Sequence, residues 1–278
     1  DPVSGAASGA GPDIEVLFDI EGGPPPTAAE RRYGGPLRIV SSGSPHVFAN
    51  FVSTLDGVVS LGLAEGNDSS AISGRHPADR YVMALLRASA AAVMIGAGTL
   101  AASAGHRWEP GRLAPEHRAE LEELRRAAAL PPEPPPLLVV SAGGRLPEHA
   151  AFEGRVVVIT TEAGAGRVRR DHPSAEVAVA GPGPSLDGPA IVAAAAAAAG
   201  DPRLLCEGGP KLMGTLIRER LVAELFLSIS ALIAGRGSAE RPGLVAGAEL
   251  PPTALQHAQL RSVRRSGDLL LLRYRLDR

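Results

Sequence analysis

The chain has 278 residues, with 28 Lys and Arg against 30 Asp and Glu, seven His, one Cys and 45% apolar residues. A formal charge of −2 gives no basic field for a phosphodiester backbone or an anionic membrane surface, so the expected partner is a small molecule, neither nucleic acid nor membrane. A lone Cys206 cannot form an intrachain disulfide or a multi-thiolate zinc site, and neither a signal peptide nor an apolar run of about 20 residues is present, which fits a cytoplasmic address.

Residues 1–45 alternate Gly, Ala, Ser and Pro tracts with short apolar runs such as Ile14 to Phe18, and read as a partly disordered surface arm. A single domain is expected over 46–278. Its strands are predicted at His46 to Thr54, Ala92 to Ile95, Leu137 to Ser141, Val156 to Thr160, Glu176 to Ala180, Arg203 to Cys206 and Glu224 to Ile233. Most are short and nearly all apolar, which suits strands covered on both faces. Helices are predicted between them at Pro77 to Ala90, Pro115 to Ala128, Asp187 to Ala199 and Pro210 to Arg220. The tail, Gln259 to Arg265 and Leu269 to Leu276 around Ser266-Gly267-Asp268, carries a hairpin signature. Alternating strands and helices with a hairpin at the end imply an α/β fold: three layers, α/β/α, with a mixed sheet and an antiparallel C-terminal hairpin. Aromatics are only 3% of the chain, so the core must be aliphatic.

Two strings look like anion cradles. Leu204-Leu205-Cys206-Glu207-Gly208-Gly209-Pro210-Lys211-Leu212 runs from an apolar strand through two glycines into a helix opened by proline. Glycines let a phosphate approach the backbone, and the free amides of the next helical turn favour negative charge. Glu207 at the end of a buried strand is costly unless something binds it. The second string, Val93-Met94-Ile95-Gly96-Ala97-Gly98-Thr99, lacks the third glycine of a dinucleotide fingerprint, since Leu100-Ala101 stands there. A non-Rossmann nucleotide site built from both strings remains open. In Ser53-Thr54-Leu55-Asp56-Gly57, Asp56 can orient a substrate or cap the turn, and the local pattern favours the cap. The seven histidines show no metal-ligand spacing, so no metal site is expected and surface roles suffice for them.

Ser53-Thr54-Leu55-Asp56-Gly57, then Leu85-Leu86-Arg87, then Gly96-Ala97-Gly98-Thr99, then Glu207-Gly208-Gly209-Pro210 with Leu221-Val222-Ala223-Glu224-Leu225, in that order, resemble the riboflavin-biosynthesis pyrimidine reductases. That resemblance covers about Phe48 to Tyr274. It implies a dihydrofolate-reductase-like fold, a homodimer, NADPH as hydride donor, and a 5-amino-6-ribosylamino-pyrimidine 5'-phosphate reduced at the ribose. It further implies that Gly96, Gly98, Thr99, Ser141 and the turn Gly208, Gly209, Pro210, Lys211, Leu212 hold NADPH, with Thr160 a further nucleotide candidate and Arg145 and Arg167 placed to meet a 2'-phosphate. Glu207 and the Asp56 loop would face the substrate. The chain departs from the family at Ala101-Ala102-Ser103-Ala104-Gly105, where an Asp-rich Asp-x-Pro segment is usual, and it lacks the zinc ligands of a deaminase half. A lone reductase domain is therefore expected. The resemblance leaves two alternatives: dihydrofolate-reductase-like activity on a pterin, which needs an acid on the first helix, where Asp79 is the only candidate, and a non-catalytic nucleotide-binding protein.

Overall fold

The computed structural model describes residues 12–39, 43–63, 68–236 and 241–277. Ten strands form one sheet: β1 (Glu15–Asp19), β2 (His46–Ser53), β3 (Ala92–Gly96), β4 (Leu137–Val140), β5 (Val156–Thr160), β6 (Glu176–Val179), β7 (Arg203–Cys206), β8 (Val222–Ile229), β9 (Ala258–Ser266) and β10 (Leu269–Leu276). Their order is β1-β9-β10-β8-β2-β7-β3-β4-β5-β6. From β8 to β6 neighbours run parallel, and β8, β10, β9 and β1 pair antiparallel. The mixed sheet and its C-terminal hairpin agree with the expectation from sequence.

The helices are α1 (Ala28–Tyr33), α2 (Asp68–Ser73), α3 (Pro77–Ala88), α4 (Ala97–Ala101), α5 (Pro110–Leu113), α6 (Arg118–Ala127), α7 (Glu162–Asp171), α8 (Gly188–Ala199) and α9 (Pro210–Arg218). One face of the sheet is covered by α1, α3 and α6, with Tyr33, Tyr81, Leu85 and Leu121 in a core that also holds Phe48, Ile95 and Val158. The other is covered by α8 and α9, through Ile191, Val192, Met213 and Leu216 against Val47, Met94 and Cys206. Apolar strands pinned between two helical layers explain why β4 and β5 read as continuous aliphatic runs.

Local chemistry sets the helix ends. Asp187 caps α8 by accepting the Ala190 N–H at 2.8 Å, and Gly200 ends it with φ 67°. His76 caps α3 through Nδ1, which accepts the Ala78 N–H at 3.2 Å, and Pro77 occupies its first turn. The helix predicted from Pro115 begins as a 3-10 turn over Pro115–His117 and becomes α-helical at Arg118. β8 stops at Ile229 rather than Ile233 because the chain leaves the sheet to meet the Asp56 loop, with Leu55 N–H donating to Leu232 O at 2.7 Å.

The short helices α2, α4 and α5, each of six residues or fewer, lie outside the sequence expectation, and two larger departures join them. α7 was missed because Gly164 and Gly166 dilute its helical pattern. A Cβ on Gly164 would stand 2.1 Å from Thr160 Oγ1 and 2.5 Å from Ala142 O, so packing, not propensity, selects glycine. The second lies in the stretch read as a surface arm. There β1 pairs with β9, and α1 carries the buried Ala29 and Tyr33. Arg265, Arg264 and Arg261 of β9 bind Glu15, Asp19 and Glu21, and Tyr81 Oη donates to Ala29 O at 2.8 Å. Residues 1–11 and 40–42 of that stretch lie outside the described residues.

Candidate active site

β7 is inserted between β2 and β3, with Cys206 opposite Ala49 on one side and Met94 on the other. That register brings the two glycine strings together at the carboxyl ends of adjacent parallel strands, the edge where open α/β sheets bind ligands. Gly96 N–H donates to Gly208 O at 3.3 Å. Above this junction opens a cleft of about 1030 Å³.

Gly96, Gly98, Thr99, Gly209, Pro210, Lys211 and Leu212 all line the cleft. A Cβ on Gly98 would meet nothing within 4 Å, so its backbone is open to a ligand. Gly209 takes φ 73° at the N-terminus of α9, a conformation that favours glycine. Gly208 is glycine for another reason. Its Cβ would fall 2.8 Å from Ile95 Cα, so the residue serves the close approach of β7 to β3 and does not line the cleft. Thr160, too, lies outside the lining: it is fully buried, and its hydroxyl donates to Ala142 O at 3.0 Å. Ser141 is likewise not a lining residue; its hydroxyl donates to Arg145 O at 3.3 Å. Arg145 and Arg167 stand away from the lining, with Arg167 Nη1 donating to Gly143 O at 2.8 Å.

Among the acids, Asp56 lies outside the cleft lining. It clamps two loops: Thr54 Oγ1 donates to it at 2.6 Å, and the Ala234 and Gly235 N–H groups at 3.0 and 2.7 Å. These bonds, the Thr54 hydroxyl foremost, lower its pKa to about 2. These bonds match the turn-capping reading of Asp56. Asp79 and Glu207 do line the cleft. Asp79 lies in the first turn of α3 and is 4% exposed. Burial raises its pKa against the opposing pull of the Ser228 and Ser73 hydroxyls, and the nearby Glu207 charge adds to the rise.

The partner that Glu207 requires is Arg87, in the last turn of α3. Arg87 Nε donates to Oε1 and Oε2 at 3.1 and 3.0 Å, and Nη2 to Oε2 at 2.7 Å. Arg87 stands in the Leu85-Leu86-Arg87 motif, which by itself assigns it no role. One signal was available: Asp79, Met83 and Arg87 are spaced four apart, one stripe of α3, and all three line the cleft. His106, read as a surface residue, is also in the lining. Its Nε2 lies 3.1 Å from Arg87 Nη2. The guanidinium can only donate, so Nε2 accepts and the ring proton sits on Nδ1. Burial, then the Arg87 charge, lowers the His106 pKa to about 3, so the imidazole is neutral. Trp108 packs edge-on to it at 4.8 Å between centroids. Among the described residues, no group of three or more His, Cys, Asp or Glu is arranged to hold a metal ion, and no helix is long and apolar enough to cross a membrane.

A three-layer α/β fold with glycine strings converging on a cleft at the strand tips, beside a buried acid and a buried ion pair, is the architecture of a small-molecule site. The chain matches the model of the RibD C-terminal domain over residues 45–271 and belongs to that family. Among solved structures it is similar to a pyrimidine reductase-like protein from Corynebacterium diphtheriae, at 19% identity over 91% of this chain and 99% of that one, TM-score 0.63. It is similar to the riboflavin biosynthesis reductase Rib7 of Saccharomyces cerevisiae, at 15% identity over 86% of this chain and 92% of that one, TM-score 0.58. It also resembles the Thermotoga maritima diaminohydroxyphosphoribosylaminopyrimidine deaminase/5-amino-6-(5-phosphoribosylamino)uracil reductase, at 19% identity over 86% of this chain, TM-score 0.57, and spans 58% of that protein. These likenesses share a fold. A comparison with curated protein sequences finds no match.

Proposed function

We propose that the chain is an NADPH-dependent reductase of the riboflavin-pathway type, acting on a 5-amino-6-ribosylamino-pyrimidine 5'-phosphate or a close relative. The observation that carries this reading is the convergence of both glycine strings and the Asp79, Arg87 and Glu207 group on one cleft. The residues suit a dinucleotide: Gly98 offers open backbone, and the free amides at the start of α9 meet a diphosphate. Lys211 adds a cation at the same edge. When bound, the reduced nicotinamide supplies the hydride. The chain's own share is to hold the acceptor carbon, C1 of the ring-opened ribosylamine as its imine, in the cleft and to exclude water. Asp79 is the residue able to pass a proton to the imine nitrogen, because burial keeps its carboxyl protonated to higher pH than an ordinary aspartate.

A second reading has its own support. A buried acid on the first helix beside the cleft also suits a pterin, whose ring edge pairs with a carboxyl group, and Asp79 occupies that place. Steady-state loss of the near-ultraviolet absorbance of NADPH separates the readings. We expect turnover with the pyrimidine ribotide. Turnover only with a dihydropterin transfers the assignment, and NADPH binding with no turnover on either makes the chain a non-catalytic nucleotide binder. Replacing Gly209 by valine is expected to weaken NADPH binding at least tenfold. Unchanged affinity counts against the cradle. The reading extends to a cytoplasmic homodimer, on the family resemblance and on the exposed Val16, Leu17 and Phe18 of edge strand β1; sedimentation equilibrium tests the dimer.

A further inference from the structure

Five arginines are buried among the described residues: Arg87, Arg125, Arg203, Arg264 and Arg273. Four of them meet a carboxylate, Arg87 that of Glu207, Arg203 that of Asp201, Arg264 that of Asp19 and Arg273 that of Glu224. Arg125, in the last turn of α6 and 4% exposed, is the exception. Its hydrogen bonds run to backbone carbonyls, from Nε to Pro131 O at 3.0 Å and from Nη1 to Ala88 O and Ala90 O at 3.2 and 2.9 Å. Those bonds tie down the end of α3 and the turn after α6, and they use three of the guanidinium's five N–H groups. The two on Nη2 have no protein partner among the described residues, and Nη2 is not one of the sealed atoms there. Burial, and after it the like charge of Arg203, hold the Arg125 pKa down to about 10, with the Glu133 charge opposing them from a distance. The cation therefore persists at neutral pH.

Arg125 lines a cavity of about 460 Å³ at the amino ends of β3, β4 and β5, away from the cleft at their carboxyl ends. Ala91, Leu137, Ala151 and the run Pro134 to Pro136 give it stiff apolar walls. The other cations of its lining are already taken, Arg155 by Glu176 at 2.8 Å and Arg107 by Glu153. Of the lining acids, Glu109 binds Arg112 at 3.0 Å and Glu133 is exposed. One buried positive charge, with two N–H donors open to an apolar cavity, balances one monoanion. A phosphate monoester, near −2 at neutral pH, would leave charge and oxygens unanswered. We propose that the cavity is a second binding site, separate from the cleft, for a small organic carboxylate, whose charged end meets Arg125 Nη2 and whose apolar body lies against Leu137 and the prolines. It stands whether or not the reductase reading holds.

The test titrates the full chain, its leucine methyls 13C-labelled, with benzoate, benzyl alcohol and inorganic phosphate. Leu137 lines this cavity and not the cleft, and Leu212 the reverse, so each reports on one site. Benzoate should shift the Leu137 methyls saturably and leave Leu212 in place. Benzyl alcohol and phosphate should bind about 10-fold or more weakly by comparison, the worth of one hydrogen bond to a charged group. A shift confined to Leu212, no shift at all, an equal response to the alcohol, or phosphate as the tighter ligand overturns the proposal. Arg125→Lys keeps the charge, and its three ammonium donors match the three carbonyls, so the fold should hold while benzoate binding weakens about 10-fold or more. Unchanged affinity removes Nη2 from the site and the proposal with it. Should that variant not fold, Ala91→Leu fills the cavity from an uncharged wall and should abolish the Leu137 response; undiminished binding is the adverse result. Glu133→Gln tells an outside ligand from an internal one. Loss of an exposed charge of the ligand's own sign should tighten benzoate binding about threefold. A variant that instead loses stability with no gain in affinity identifies Glu133 as the counter-ion of Arg125 and overturns the proposal.

Discussion

At the antiparallel end of the sheet, Arg273 and Glu224 lie on neighbouring strands, each 2% exposed, with Nη2 and Oε2 2.6 Å apart. His46 Nε2 adds a contact to Glu224 at 3.2 Å. Burial alone would raise the Glu224 pKa, yet His46 and Arg273 hold it below the ordinary value. Arg264 nearby is stacked 3.8 Å over the Tyr33 ring and bonded to Asp19. Beside the tips of the parallel strands, Asp79 of α3 shows the other outcome: burial shifts its carboxyl upward. Both regions bury carboxyls, and their titration moves in opposite directions. Structural charge is matched by an opposite charge. Within the cleft lining Glu207 follows the same rule, paired with Arg87, and Asp79 is the buried carboxyl there whose titration moves upward.

The comparison is broken most severely by removing one partner at the antiparallel end. Arg273→Met leaves Glu224 buried beside His46 alone and should cost about 3–5 kcal/mol, read from the denaturant midpoint at unchanged m. NADPH affinity of the folded fraction should not change, because Arg273 is remote from the cleft lining. Next come the two glycines that look alike in sequence. Gly208→Ala drives a Cβ to 2.8 Å from Ile95 Cα and should lose about 1–3 kcal/mol by overpacking, with weaker NADPH binding as the strand tips part. Gly98→Ala meets nothing within 4 Å, so the thermal midpoint should hold or rise, as for alanine in a helix, while NADPH affinity falls. A loss of stability at Gly98 or none at Gly208 reverses the assignment of the two.

Acid titration sharpens the contrast. The folded-state pKa of Asp79 is raised, so the native chain binds more protons than the unfolded one between about 4 and that raised value, and stability falls as pH increases through this window. Asp79→Asn should therefore be the more stable form at neutral pH, with its advantage vanishing below about pH 4. Glu224 has the opposite sign: its stabilisation is present above about pH 4.3 and is lost as acid protonates it. His106 behaves like Glu224 in direction. Its lowered pKa removes up to about 1.4 kcal/mol per pH unit as pH drops from about 6.5 toward 3. Parallel slopes in Asp79→Asn and wild type would remove the distinction between the regions. The smallest effect concerns Cys206, whose thiol burial pushes up to about 12. It should resist thiol reagents in the native chain and react at once in denaturant.

Much of this was legible before folding. The buried strands announced themselves as aliphatic runs, helix starts as Asp187 and Pro77, and the end of the chain as a turn between two alternating segments, because each of these depends on residues within a few positions of one another. The glycine strings were legible as strings. Their separate roles were not, since the packing Gly208 and the open Gly98 differ only in what stands opposite. Thr160 and Ser141 carried the right chemistry on strand-end positions, but their hydroxyls turn to Ala142 O and Arg145 O.

The sequence by itself determined the layer architecture, the family and the strand tips that carry the glycine strings, all of them consequences of periodicity and of motifs local to one segment. Tertiary structure decided which charges meet. Glu207 finds Arg87, and Asp56 finds Ala234 and Gly235, only once β7 lies between β2 and β3 and β8 delivers the following loop beside β2. Hydrogen bonds and desolvation act over a few ångströms in space, and no spacing along the chain encodes a contact that 120 intervening residues must fold to make.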